Sequence, residues 1–187
     1  MNRCAWVGQD PLMTAYHDTE WGTPNHDDRK IFEFIVLDAM QAGLSWRIIL
    51  NKREGMRKAF LNFEPAKVAL LTPADIERLM LDSSIIRNRA KLVATVRNAQ
   101  LFMDIQKEFG SFDKYLWSFV DNQPIINTWV ENGDVPAVSP EGNALSADLL
   151  KRGFKFVGPT IIYAFMQGAG LVNDHVVGCF RHTELGS

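Results

Sequence analysis

The sequence predicts an all-α fold, and three observations lead there. Apolar residues recur with the spacing of buried helix faces. Short polar residues, prolines and glycines fall where helices start and stop. No alternation with period two persists long enough to build a sheet. The 187 residues suffice for one well-buried domain or two small ones, and we read them as one.

The elements follow in order. Asp27 and Asp28 are N-cap candidates for a buried helix over residues 31–42, apolar at 31, 32, 34–37 and 39. Gly43 breaks it, and Ser45 is a cap for a helix from Trp46 to about Glu54. Pro65 opens a short helix reaching Leu70. Thr72 followed by Pro73 is a cap with proline at the first helical position. Residues 85–109 read as one long helix carrying Arg87, Arg89, Lys91 and Arg97. Ser111 or Asp113 opens a short helix through Tyr115 and Trp117. Residues 122–143 are rich in Pro, Gly, Asn and Asp and read as a long loop. Helices resume over 144–151, break at Gly153 and restart after Pro159. No internal repeat or low-complexity tract is present.

Composition narrows the function. A net charge of −2 argues against a generally basic protein that coats nucleic acid, while leaving room for a local basic face. No apolar run approaches a membrane span, and the first residues do not read as a signal peptide, so a cytoplasmic location is expected. In a reducing compartment the two cysteines suit metal ligation or plain burial better than a disulfide.

Those cysteines each have a histidine in reach: Cys4 with His17, and His175 with Cys179. If the four meet, they form a closed tetrahedral Cys2His2 zinc site joining the two ends of the chain, with no open position for a reactive water. The alternative is a buried thiol and a core histidine at each end. His175 and Cys179 have i,i+4 spacing, which one helical turn would bring to one face. Cys4 and His17 need a loop to meet.

Residues 149–160 form a second motif: a helix end, a glycine-bounded turn (Gly153 and Gly158), and a new helix. That is the pattern of a helix-hairpin-helix, whose free N–H groups grip phosphate without reading sequence. Lys151, Arg152 and Lys155 add positive charge there. An ordinary helix–helix connection with glycine is the plain alternative. The third motif is aromatic. Tyr16, Trp21 and Trp46 could wall a flat pocket, with the Asp38 carboxylate beside them, which suits a flat cationic ligand. Equally, tryptophans near helices often just fill cores.

Assembled, the chain resembles the bacterial DNA-3-methyladenine glycosylase I family nearly end to end. The resemblance lies in Arg3-Cys4-x-Trp6, Asp10-Pro11-Leu12, Tyr16-His17-Asp18-x-Glu20-Trp21-Gly22-x-Pro24 and Gln41-Ala42-Gly43-Leu44-Ser45-Trp46. It continues through Ile85-Ile86-Arg87-x-Arg89-x-Lys91, Trp117-Ser118-Phe119-Val120, Lys151-Arg152-Gly153-Phe154-Lys155-Phe156-Val157-Gly158 and Gly170-Leu171-Val172-Asn173-Asp174-His175.

The resemblance implies a helix-hairpin-helix DNA glycosylase fold, the hairpin at about 145–168, with a structural zinc on Cys4, His17, His175 and Cys179. It implies a monofunctional enzyme, without an amine nucleophile, that extrudes and hydrolytically excises 3-methyladenine from double-stranded DNA. The base would lie against Tyr16 and Trp46, with Trp6, Trp21 and Met13 around it and Asp38 as the catalytic, charge-matching carboxylate. Gly43 and Leu44 would probe the gap left in the duplex, and Lys151, Lys155, Gly158 and Thr160 would meet phosphate. A monomer is expected.

Three positions depart from the family pattern: Asp38 stands for a glutamate, Met13 for a frequent tyrosine, and Met40 for a more polar residue. All three are expected near the pocket, so a shifted base preference is one alternative. A non-catalytic module that binds alkylated DNA is another. Asp174 is a second acidic candidate, expected only to orient its corner.

Overall fold

The computed structural model describes residues 2–186. They are mostly helical: α1 Pro11–Thr19, α2 Asp28–Gln41, α3 Trp46–Ala59, α4 Pro65–Val68, α5 Pro73–Met80, α6 Arg89–Phe109, α7 Phe112–Trp117, α8 Pro140–Arg152, α9 Pro159–Gly168 and α10 Phe180–Leu185. Single 3-10 turns sit at Ala5–Val7 and Asn132–Asp134.

The core is built around α2. Asp27 caps it by accepting from the Lys30 amide, and every residue from Ile31 to Met40 is buried. A helix buried all round must be covered on every side, and α2 packs against α3, α6, α7 and α9. Phe32, Phe34, Ile35 and Leu37 are each nearly inaccessible, and each contributes about 1.5–3 kcal/mol relative to exposure. Glu33, buried on the same helix, meets Arg53 and Arg57 of α3 at 2.7 Å, and Arg53 also holds Glu20 at 2.8 Å. These ions ride with the fold because each charge is paired.

Several boundaries differ from the sequence reading. The stretch from Asp10 holds a helix: Asp10 accepts from the Leu12 and Met13 amides and Pro11 occupies the first turn. A helix, rather than a loop, therefore carries His17 toward Cys4. The long helix starts at Arg89, capped by Asn88, because the apolar Ile85 fills the core from an irregular segment. The helix after Ser45 runs on to Ala59, and the one after Pro65 stops at Val68.

Residues 122–143 are more ordered than a loop. Ile125–Ile126 (β1) pairs in parallel with Val172–Asn173 (β2), and Ser139 caps α8, which starts at Pro140, four residues before the expected Ala144. Thr72 caps α5 with Pro73 in its first turn, as expected, and Asp75 completes a capping box. Among the described residues no helix is long and apolar enough to cross a membrane.

The α8–α9 connection is a tight turn. Gly153 ends α8 at φ 101°, which favours glycine, and Phe156 also takes a positive φ of 56°. The turn is bolted from behind: Asn98 of α6 donates to the Lys155 carbonyl at 2.9 Å and accepts from its amide at 3.0 Å. Ser146 donates to the Val157 carbonyl at 2.7 Å.

Candidate functional site

The two ends of the described chain meet in one buried cluster. One ligand atom from each of Cys4, His17, His175 and Cys179 lies within 4.8 Å of the others. The Nε2 of His17 is 3.2 Å from the Nδ1 of His175, and the Cys179 Sγ is 3.4 and 3.5 Å from those nitrogens. Cys4 Sγ is 3.6 Å from His175 Nδ1. Tetrahedral ligands at zinc distances stand roughly 3.3–3.8 Å apart, so the spacing suits such an ion.

The outer nitrogens point the same way. His175 Nε2 lies 3.0 Å from the Trp21 carbonyl, and His17 Nδ1 lies 2.8 Å from Asp18. Both outer contacts call for N–H donors, so neutral rings turn their lone pairs toward each other and the sulfurs. Burial pushes the Cys4 thiol up to about 12 and His175 down to about 4. A bound cation reverses that preference for the thiols. The His175–Cys179 segment is not helical: the Cys179 amide bonds the Val176 carbonyl in a turn. The turn delivers both ligands, as the expected helical turn would have done.

Beside the cluster lies a cup of about 280 Å³. Trp6, Tyr16, Trp21 and Trp46 supply its aromatic lining. Tyr16 of α1 and Trp46 of α3 meet at a tilt of 50° with centroids 5.2 Å apart, and Trp6 meets Trp21 edge-on at 5.0 Å. Glycine at position 168 makes room: a Cβ there would sit 3.0 Å from the Tyr16 hydroxyl.

Asp38 points into the cup from α2. It is 4% exposed, and its Oδ2 has no hydrogen-bond partner. Burial holds its pKa well above the ordinary carboxylate value. Burial, and then the nearby Asp38, raise the Tyr16 phenol in turn. The Trp46 indole N–H is also buried without a partner. An unpartnered buried polar group costs about 1–3 kcal/mol. One acceptor and one donor left open in the same cup mark where a ligand would be bound.

Asp174 lines the cup too, but its carboxylate is fully occupied. Oδ1 accepts from Asn127 and the Trp129 indole at 2.7 Å; Oδ2 accepts from the Tyr163 hydroxyl at 2.7 Å and Gln167 at 2.8 Å. It ties Asn127, Trp129, Tyr163 and Gln167 together in one wall.

Of the three departing positions, only Asp38 lines the cup. Met13 lines a separate groove with Trp6, Gln9, Asp10 and Arg47. Met40 is buried in the core at 1% exposure. The sequence reading missed Gln41, Gln167 and the rim residues Asn132 and Val135. Gln41 was findable, since it stands three residues after Asp38 on one helix face. The rim residues lie in the segment taken for plain loop.

At the proposed DNA side, Gly43 and Leu44 are exposed on the connection between α2 and α3, and Lys151, Lys155 and Thr160 are exposed around the α8–α9 turn, with Gly158 half-buried as the α9 cap. Arg152 is different: Asp148 at 2.7 Å and Glu108 at 2.6 Å neutralise it, so it adds no free charge to that turn.

The chain is similar to known proteins over nearly its whole length. The family model described as methyladenine glycosylase matches residues 6–182. DNA-3-methyladenine glycosylase 1 of Escherichia coli is 50% identical over 179 residues, covering 96% of both chains. DNA-3-methyladenine glycosylase of Haemophilus influenzae is 47% identical over 177 residues, 95% of this chain and 96% of that one. Among solved structures, 3-methyladenine DNA glycosylase I from Staphylococcus aureus superposes with a TM-score of 0.93 at 41% identity, covering 96% of both chains. With an aromatic cup, a buried acid and a terminal Cys/His cluster all in one helical frame, this chain belongs to the methyladenine glycosylase family.

Proposed function

We propose that the protein is a monofunctional DNA repair glycosylase that extrudes 3-methyladenine from alkylated duplex DNA and hydrolyses its bond to the sugar. The observation that carries this reading is the open, buried carboxylate of Asp38 among aromatic rings. Methylation at N3 makes adenine a cation and a good leaving group. Tyr16 and Trp46 would stack on that ring, and Asp38 would accept from its exocyclic amine and balance its charge. Unmodified adenine is neutral and gains little from this pairing. Extrusion itself costs a few kcal/mol, least for damaged bases.

In the chemical step the N9–C1′ bond breaks and its electron pair leaves with the base, which becomes neutral 3-methyladenine. Water adds its oxygen to C1′ and releases a proton to solvent. Asp38 touches the departing base and is the catalytic residue of this reading. The relatives' names and the cup support this activity; the roles of individual residues are our assignment.

The Cys4, His17, His175 and Cys179 set fits a structural zinc, which would fasten the termini and take no part in the reaction. The whole chain would act as one monomeric domain in the cytoplasm. Its α8–α9 turn would serve as the helix-hairpin-helix, with Lys151, Lys155, Gly158 and Thr160 on phosphate and Gly43 and Leu44 at the gap.

The test is to incubate the protein with methylated duplex DNA and identify the released base. Free 3-methyladenine, lost in Asp38→Ala, is expected; binding without any release would leave a non-catalytic damage-binding module. Asp38 is one methylene shorter than glutamate, so a bridging water or a closer approach must complete its contact. Asp38→Glu should therefore change the ratio of 3-methyladenine to 3-methylguanine released, and an unchanged ratio refutes the shifted preference.

A further inference from the structure

The buried lysine of α6 has no part in the cup or the Cys/His cluster. Lys91 is 6% exposed, and its ammonium donates to the Met40 carbonyl at 2.9 Å and the Ala42 carbonyl at 2.7 Å. It stands in the first turn of α6, where the Asn88 side chain already caps its amide. A cation at a helix N-terminus opposes the macrodipole, and desolvation further disfavours its charge. Its own helix therefore gives it no reason to be there. The C-terminal end of α2, whose carbonyls it satisfies, does.

That end of α2 carries the loop over residues 42–45. The loop joins Gln41 to Trp46, and both line the cup. Gly43 turns it at φ 80°, with open space where a Cβ would be. The Leu44 amide closes the turn on the Gln41 carbonyl, and the Leu44 side chain is left 38% exposed. Two of the carbonyls behind this leucine are tied to one ammonium, so the loop is set before any ligand arrives.

We propose that Lys91 is a positioning residue that presets the 42–45 loop, holding Leu44 as an apolar wedge for the duplex gap beside an extruded base. This rests on the glycosylase reading and deepens it. Apolar wedges inserted at base steps stabilise distorted duplexes, and a preset wedge loses less freedom on binding than a loose one. Asp38 lies a full turn earlier in α2, held by the helix's own bonds, so the cup should survive loss of the lysine.

The experiment compares wild type and Lys91→Met for two affinities: a duplex containing a tetrahydrofuran abasic-site analogue, and free 3-methyladenine followed by tryptophan fluorescence. Circular dichroism confirms folding. The duplex affinity is expected to fall about tenfold, with free-base affinity within about twofold. In a Leu44→Ala background the Lys91→Met loss should largely disappear, because lysine acts through leucine. Equal losses of both affinities, an unchanged duplex affinity, or full additivity with Leu44→Ala would each overturn the proposal. If Lys91→Met does not fold, Lys91→Gln, which keeps one amide donor, is judged by the same criteria. A wild type that binds the abasic duplex but releases no base would sink the glycosylase reading while leaving this test readable.

Discussion

Burying the Asp38 carboxyl costs the fold stability. The group has an oxygen without a partner and titrates well above the ordinary carboxylate value. A raised folded pKa means the native state holds its proton more tightly than the unfolded chain. The carboxyl therefore costs no stability below the ordinary value, and the penalty grows as pH rises toward the folded pKa. Asp38→Asn should raise Tm by about 2–4 °C at pH 8, with the gain fading as pH falls toward 4. The same variant should lose most affinity for 3-methyladenine, because a neutral amide cannot balance the base's charge. A Tm gain independent of pH would show that charge burial is not the cause. The relation is the familiar one in which a binding site is kept at the expense of the fold.

Within single elements, the α8–α9 turn depends on a residue far from it in sequence. Asn98 meets both backbone groups of Lys155, and losing its amide leaves a carbonyl and an N–H unsatisfied. Asn98→Ala is expected to cost about 1–3 kcal/mol in urea unfolding. It should also weaken binding to undamaged duplex, since Lys155 and the α9 start would lose their fixed register. Unchanged duplex affinity would remove the turn from the DNA face. Gly170 makes a similar point sterically. It sits at φ 76°, and a Cβ there would lie 2.2 Å from the Thr23 carbonyl carbon. Gly170→Ala must displace backbone, and a folded yield close to wild type would contradict that packing.

Across the whole molecule, the Cys/His cluster and the cup share their walls. Tyr16 precedes His17, Asp174 precedes His175, and the Trp21 ring lies 4.5 Å from the His175 ring while its carbonyl faces His175 Nε2. A structural ion there would hold the aromatic lining as well as the termini. Cys179→Ser is expected to cost about 4 kcal/mol or more, about 10 °C in Tm, with free-base affinity falling in parallel. Zinc content near one per chain in wild type and much lower in Cys179→Ser is the accompanying measurement. Full stability after complete removal of the metal would separate the cluster from the fold.

The sequence alone determined the helical class, most helix starts, the four cluster residues and the aromatic–acid set, because caps, proline positions and ligand chemistry are local properties. It misplaced the start of α6, since Ile85 is apolar for the core and not for a helix, and it missed α1 and the rim at Asn132 and Val135. Only the tertiary structure decided which groups are open and which are filled. Asp38 and Asp174 are both buried acids in one cup, yet Asp174 is saturated by four donors, two from the preceding α9 and two from the segment around Asn127 and Trp129, while Asp38 keeps a bare oxygen. The same holds for Met13, which lines a different groove, and for Lys91, whose ammonium is bound to the end of α2. Hydrogen-bond satisfaction depends on partners brought together by folding, and no reading of neighbours along the chain can supply it.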